Sequence, residues 1–319
     1  MRKIVYLLLA LTTFAFAQQE QQYSQYMINQ FALNPAVAGT EDFIDLNLGI
    51  RQQWLGFEGA PLTYYASGHA TLGKPVHQYH HSNEQHNWHG VGFQLVQDQT
   101  GPIARKSILF AYAYNFVISR NVRASFGAYA GAKQLSVDAG YWKNIDDPSD
   151  RFFNTDLNTD LQPDIHMGGL VYSKKFFVGL SLFQLLNQKM SYGSFWDEVG
   201  QNGKLKTHLY GNAGVKLWLN DHVEIMPCIM FKYVDSAPLS IDLNAKVTVS
   251  EKYWYGASYR ALESFNVFAG LEIHRSFDVS YAFEWSTSKI GRYIAGTHEL
   301  IVGVRLRHPK NIECPSRYW

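Results

Sequence analysis

The chain has 319 residues, with 28 Lys and Arg against 27 Asp and Glu and a formal net charge of +1. So even a balance leaves no basic footprint for a nucleic acid, and that class of partner is excluded. Hydrophobic residues make up 46% of the chain and aromatics 15%, yet mean hydropathy is slightly negative, so the apolar surface is dispersed rather than gathered into runs.

Residues 1–17, MRKIVYLLLALTTFAFA, have the layout of a signal peptide. Arg2 and Lys3 make a basic start, an apolar stretch follows, and Ala15-Phe16-Ala17 is an A-x-A cleavage site before Gln18. No Cys stands at that point, so lipoprotein processing is not indicated. The expected mature chain is exported and begins at Gln18. Residues 18–43 precede the first alternating strand and read as a periplasmic or plug segment, with room for a short helix over Gln21 to Leu33. Beyond the leader no stretch reaches the ~20 apolar residues of a membrane helix, so a membrane-spanning form has to be a barrel.

Alternating segments then recur to the end of the chain. They are 44–54, 63–72, 89–97, 107–117, 122–137, 164–172 and 176–186, then 208–219, 223–234, 239–249, 253–260, 265–273, 277–285 and 298–307. The pattern predicts an all-β fold: a transmembrane, antiparallel, up-and-down β-barrel of about 14 strands over 44–307, in a bacterial outer membrane. Residues 308–319 are then a C-terminal periplasmic tail. Connection length sorts by parity, as it does in such barrels. The links 119–121, 173–175, 219–221, 250–252 and 274–276 are tight, whereas 138–163, 187–206 and 286–296 are long. The stretch 73–88 is the exception. A soluble sandwich gives no reason for such sorting.

LSIDLNAKV (239–247) shows what the alternation does. Leu239, Ile241, Leu243, Ala245 and Val247 form one face, expected to meet lipid, and Ser240, Asp242, Asn244 and Lys246 the other. The same parity sends Arg51, Glu224, Lys232, Asp242, Lys246 and Arg260 to the lumen. Glu272, Asp278, Glu284, Glu299 and Arg305 follow them, a mixture of signs that can pair or meet water. Tyr112, Tyr114, Phe116, Tyr233, Phe283 and Trp285 fall near strand ends, where an aromatic girdle sits.

Several stretches carry side chains that bind. His77, His80, His81, His86 and His89 cluster in 73–90, but their spacing matches no standard metal site, no Cys accompanies them, and a solvated polar turn is the simpler reading. DLNTD (156–160) lacks the Gly and the distal Glu of a calcium loop. No metal and no cofactor is therefore expected. Trp142, Phe152 and Phe153 in one long loop, and Phe195 and Trp196 in the next, are candidate partner anchors. Ser67 and His69 share the inner face of the second strand, but no nucleophile motif surrounds them and no enzyme activity is expected. Cys228, inside a strand pattern, and Cys314, in the tail, make no evident pair.

The mature start, QQYSQYMINQFALNPAVAGT (21–40), resembles the opening of the PorP/SprF family of type IX secretion outer-membrane proteins. RQQWLGFEGAPLTYYASGHATL (51–72), KYVDSAPLSIDLNAKV (232–247), YWYGASYR (253–260), GTHEL (296–300) and CPSRYW (314–319) continue the resemblance across the mature chain. Ser316 interrupts the tail pattern, where Arg is expected after Cys-Pro. The resemblance implies an outer-membrane barrel that serves the type IX secretion and gliding motility machinery of Bacteroidetes. It implies export or surface attachment of adhesin-like cargo through C-terminal sorting domains, with association to periplasmic components. On that reading Tyr23 and Tyr26 at the start, and Cys314, Tyr318 and Trp319 at the tail, are further candidate partner contacts. A porin or solute transporter is the alternative.

Overall fold

The computed structural model describes residues 21–73, 86–138, 157–158, 161–187, 189–190, 203–235, 237–274 and 276–306. Among them fourteen antiparallel strands follow one another around a ring. The first seven are β1 (Ile44–Gln52), β2 (Leu62–Leu72), β3 (Trp88–Thr100), β4 (Ile103–Ser119), β5 (Val122–Val137), β6 (Gln162–Tyr172) and β7 (Phe176–Phe183). β8 comes in two pieces, His208–Val215 and Leu217–Asn220. The ring continues through β9 (Val223–Val234), β10 (Ser240–Val249), β11 (Tyr253–Arg260), β12 (Ser264–His274), β13 (Phe277–Ser286) and β14 (Thr297–Leu306).

Closure comes from β1 pairing with β14, from Ile44 opposite Leu306 to Gln52 opposite His298. A closed ladder leaves no sheet edge with unpaired amides, which hydrocarbon would not tolerate. The period of two then sorts the faces. Along β10, Leu243 is 53% exposed while Asp242 is 2% exposed. Ile108, Phe110, Tyr112 and Tyr114 form a similar outward row on β4, and Tyr253, Tyr255 and Tyr259 one on β11. No helix among the described residues is long and apolar enough to cross a membrane.

Among the described residues the links 120–121, 173–175, 221–222 and 250–252 are short and lie at one end, and the longer links 53–61 and 287–296 lie at the opposite, long-loop end with the two-residue turn 101–102. At the long-loop end 53–61 and 287–296 are zipped by backbone bonds, Leu55 N–H to Gly296 O at 2.8 Å and Ala295 N–H to Leu55 O at 2.7 Å.

Three local readings change. The expected link between 97 and 107 is instead a continuous hairpin, with only Gly101 and Pro102 outside the ladder and Gly101 at φ +55°. Strand pairing needs backbone partners, not an apolar face, so it continues into polar sequence. The expected single strand 208–219 breaks at Lys216, whose side chain turns inward to Glu224 Oε1 at 3.2 Å, with a register shift between Trp218 and Asn220. The expected helix over Gln21 to Leu33 is a turn and two 3₁₀ turns, Gln30–Ala32 and Pro35–Val37. Asn29 caps the first and Asn34 the second, and Pro35 occupies the first helical position, where its missing N–H costs nothing.

Candidate functional site: the occupied lumen

Residues 21–43 lie inside the barrel. Tyr23, Tyr26, Met27, Phe31, Leu33 and Val37 are buried in one apolar cluster with wall residues that include Tyr65, Leu109, Tyr129, Tyr172, Phe177 and Met230. The segment starts near the long-loop end, where Gln22 Oε1 accepts from Arg260 Nη1 at 2.7 Å, and descends to the start of β1 at the short-turn end. Its backbone is irregular, so its carbonyls need partners from the wall. Asn266 donates to Ser24 O at 2.8 Å, Ser181 to Leu33 O at 2.6 Å and Asn115 to Ala38 O at 3.1 Å. Trp88 Nε1 donates to Gly39 O at 2.7 Å, and the Tyr129 hydroxyl to Phe31 O.

Near the long-loop end the contacts are ionic. Ser24 donates from its backbone N–H to Glu299 Oε2 and from its hydroxyl to Glu284 Oε2, each at 2.6 Å. Arg51 reaches Glu284 at 3.2 Å and Glu299 at 3.5 Å. Arg260 clamps Asp242 through Nε at 3.0 Å and Nη2 at 3.2 Å, and touches Glu284 at 3.4 Å. Tyr65 donates to Glu299 Oε1 at 2.8 Å. Two guanidiniums and three carboxylates from β1, β10, β11, β13 and β14 thus form one network, in which Arg51, Glu284 and Glu299 touch Ser24. At the other end Arg305 pairs with Asp278 and reaches Glu272 at 3.5 Å. Lys232 and Lys246 are buried, and Lys232 lies 5.7 Å from the Tyr210 ring centre.

Lower down the fit is steric. Asn34 Nδ2 donates to Gly169 O at 3.1 Å and Leu180 O at 3.4 Å, laying Leu33-Asn34-Pro35-Ala36 against the wall. A methyl group on Gly127 would stand 2.5 Å from the Pro35 carbonyl, and one on Gly168 2.1 Å from Asn34 Oδ1. Only glycine permits approaches this close.

The family model described as "Type IX secretion system membrane protein PorP/SprF" matches residues 15–304, taking in the luminal segment and nearly all of the barrel. The chain belongs to that family. No match was found among curated proteins. Solved structures give general likenesses only. The Ralstonia pickettii toluene transporter TbuX is 8% identical, with a TM-score of 0.49, over 87% of this chain and 92% of its own. A Pseudomonas aeruginosa FadL homologue is 9% identical, with a TM-score of 0.46, over 85% and 91%. The CymD monoaromatic hydrocarbon channel is 11% identical, with a TM-score of 0.47, over 90% and 94%. Values this low say nothing about what a PorP/SprF chain binds.

The eleven lumen charges named from the sequence all lie in strands of this PorP/SprF barrel; Glu224 and Glu272 are half-buried and the other nine buried. Tyr23 and Tyr26 are corrected as partner contacts: both rings are buried in the barrel's own interior. His89 faces outward and shares a hydrogen bond of 2.7 Å with the Tyr112 hydroxyl, beside Tyr114, which makes it part of an aromatic belt. His86 is described too, and no group of three or more metal-ligating side chains occurs among the described residues. Ser67 accepts from Asn29 Nδ2 at 2.8 Å and His69 Nδ1 from the Gly39 N–H at 3.4 Å, so both hold the luminal segment. His77, His80, His81, Trp142, Phe152, Phe153, Phe195, Trp196, Cys314, Tyr318 and Trp319 lie outside the described residues, as do the leader and the tail. Sequence reasoning missed Ser24 and Asn34. The LNPA run was a usable signal for Asn34, since Asn before Pro caps a turn; Ser24 left none.

Proposed function

We propose that this barrel is a binding component of the type IX secretion and gliding apparatus in the outer membrane. It supports export or surface attachment of adhesin-like cargo by engaging cargo C-terminal domains and periplasmic partners. With the long loops outside, as outer-membrane barrels arrange them, cargo meets the long-loop rim and the machinery meets the short turns. The observation that carries this reading is residues 21–43 packed through the lumen, bonded to the wall from Ser24 to Gly39. A barrel filled by its own chain is suited to hold a partner rather than to pass a solute, since barrel shape alone implies no pore. The test is a mild-detergent pull-down of the native protein from its own outer membrane. Recovery of a secreted adhesin-like protein together with periplasmic machinery is the expected result. Recovery of neither, with steady conductance from the intact protein, would restore the solute-channel reading.

A further inference from the structure

We infer that the long-loop mouth holds a carbohydrate site that takes the terminal sugar of a glycan. Beside the luminal segment, against β3 to β8, lies a cavity of about 100 Å³ that opens at the long-loop end. Its apolar side is Leu33, Val96, Leu109, Phe183 and Tyr210. Phe183 stands 5.1 Å from Tyr210 and 4.2 Å from His166, ring centre to ring centre, with the ring planes inclined at 66° and 58°, so the three rings pack edge to face along this side. Its polar side is Gln94, Gln184, Lys133, Asp164 and His166. Asp164 Oδ2 lies 3.2 Å from Lys133 Nζ and 3.0 Å from His166 Nε2.

The second observation is independent of the cavity's shape. Gln94 Oε1, Gln184 Oε1 and His166 Nδ1 have no hydrogen-bond partner, although these residues are only 3%, 5% and 4% exposed. The Gln94 amide N–H is already directed at Ala32 O, at 3.4 Å, which leaves its oxygen as the free end. Buried polar atoms are costly unless satisfied, so a ligand that meets them gains what an apolar one forfeits. A simple anion would find Arg105, Lys106 and Lys133 in the lining, but it cannot donate to the two amide oxygens and would leave both unmet. A hydrocarbon would leave all three orphans unmet. A sugar hydroxyl both donates and accepts, so neighbouring hydroxyls satisfy amide oxygens, a carboxylate and an ammonium together, while C–H groups of the ring meet the apolar side at Phe183 and Tyr210. A closed apolar cavity of about 150 Å³ holds a benzene ring, and a pyranose is bulkier than benzene, so this smaller cavity admits one edge of the terminal sugar and leaves the rest of the glycan outside. The site is distinct from the partner-binding role proposed above and stands or falls separately.

The experiment uses the full mature chain in a sugar-free amine-oxide detergent, because glycoside detergents would themselves compete. Saturation-transfer NMR is recorded with the methyl glycosides of glucose, galactose, mannose and N-acetylglucosamine, and with N-acetyl-dialanine amide as a peptide probe. The expected result is saturable transfer to at least one glycoside, weakened about tenfold or more by Asp164→Asn and by Gln94→Met. Both variants are first shown to keep the heat-dependent gel migration of a folded barrel, and two substitutions guard against either one failing to fold. No saturable signal from any glycoside, or an unchanged signal in a folded variant, would overturn the site. So would transfer to the peptide probe alone, which would assign the cavity to a polypeptide end.

Discussion

Between Gln22 and Gln25 the luminal segment meets the barrel wall through charge, whereas between Phe31 and Gly39 it meets the wall through neutral hydrogen bonds to its carbonyls, apolar packing and close contact with wall glycines. The first region is held by buried carboxylates and guanidiniums whose geometry is directional. The second is wedged, with Pro35 and Asn34 lying where only a glycine wall leaves room. Buried ion pairs contribute little net stability against an apolar replacement of both partners, but removing one partner strands the other. Close packing degrades in proportion to the volume forced in. The two halves therefore fail for different reasons and by different amounts.

The largest effect is expected from Arg51→Met, which leaves Glu299 and Glu284 buried with their charges poorly matched. A loss of about 3–5 kcal/mol is predicted in urea unfolding of detergent-held protein. Hydrogen exchange read by mass spectrometry should rise over residues 22–28 and stay flat over 33–38. Gly127→Ala comes next, at about 1–3 kcal/mol, with the opposite exchange pattern, because its methyl meets the Pro35 carbonyl. If either variant loosened both regions equally, the distinction between a latched half and a wedged half would fall. Asn34→Ala removes the cap on Ala36 N–H and should cost about 1 kcal/mol in the same assay. Lys206→Ala breaks an exposed pair with Asp235, away from the segment, and should change stability by less than about 1 kcal/mol.

The barrel was legible in the chain because its strands obey one rule. Asp242, Lys246 and Glu284 declare the inner face by parity alone, and Leu243 and Trp285 the outer. The luminal segment follows no period, so its path was not legible. Ser24 bonds residues 260 and 275 positions away, and nothing in QQYSQYM marks them as partners. Tyr23 and Tyr26 misled for a related reason: aromatic rings in an irregular stretch read the same whether they pack inward or wait for a partner. The extension of β3 and β4 was hidden because pairing outside the bilayer leaves no apolar signature.

The account rests on a barrel whose passage is filled by its own chain. Single-channel recording of the intact mature protein in a planar bilayer, after gel migration confirms folding, tests this most directly. The prediction is a silent bilayer under applied voltage. A steady, open-channel conductance from the intact protein would contradict it.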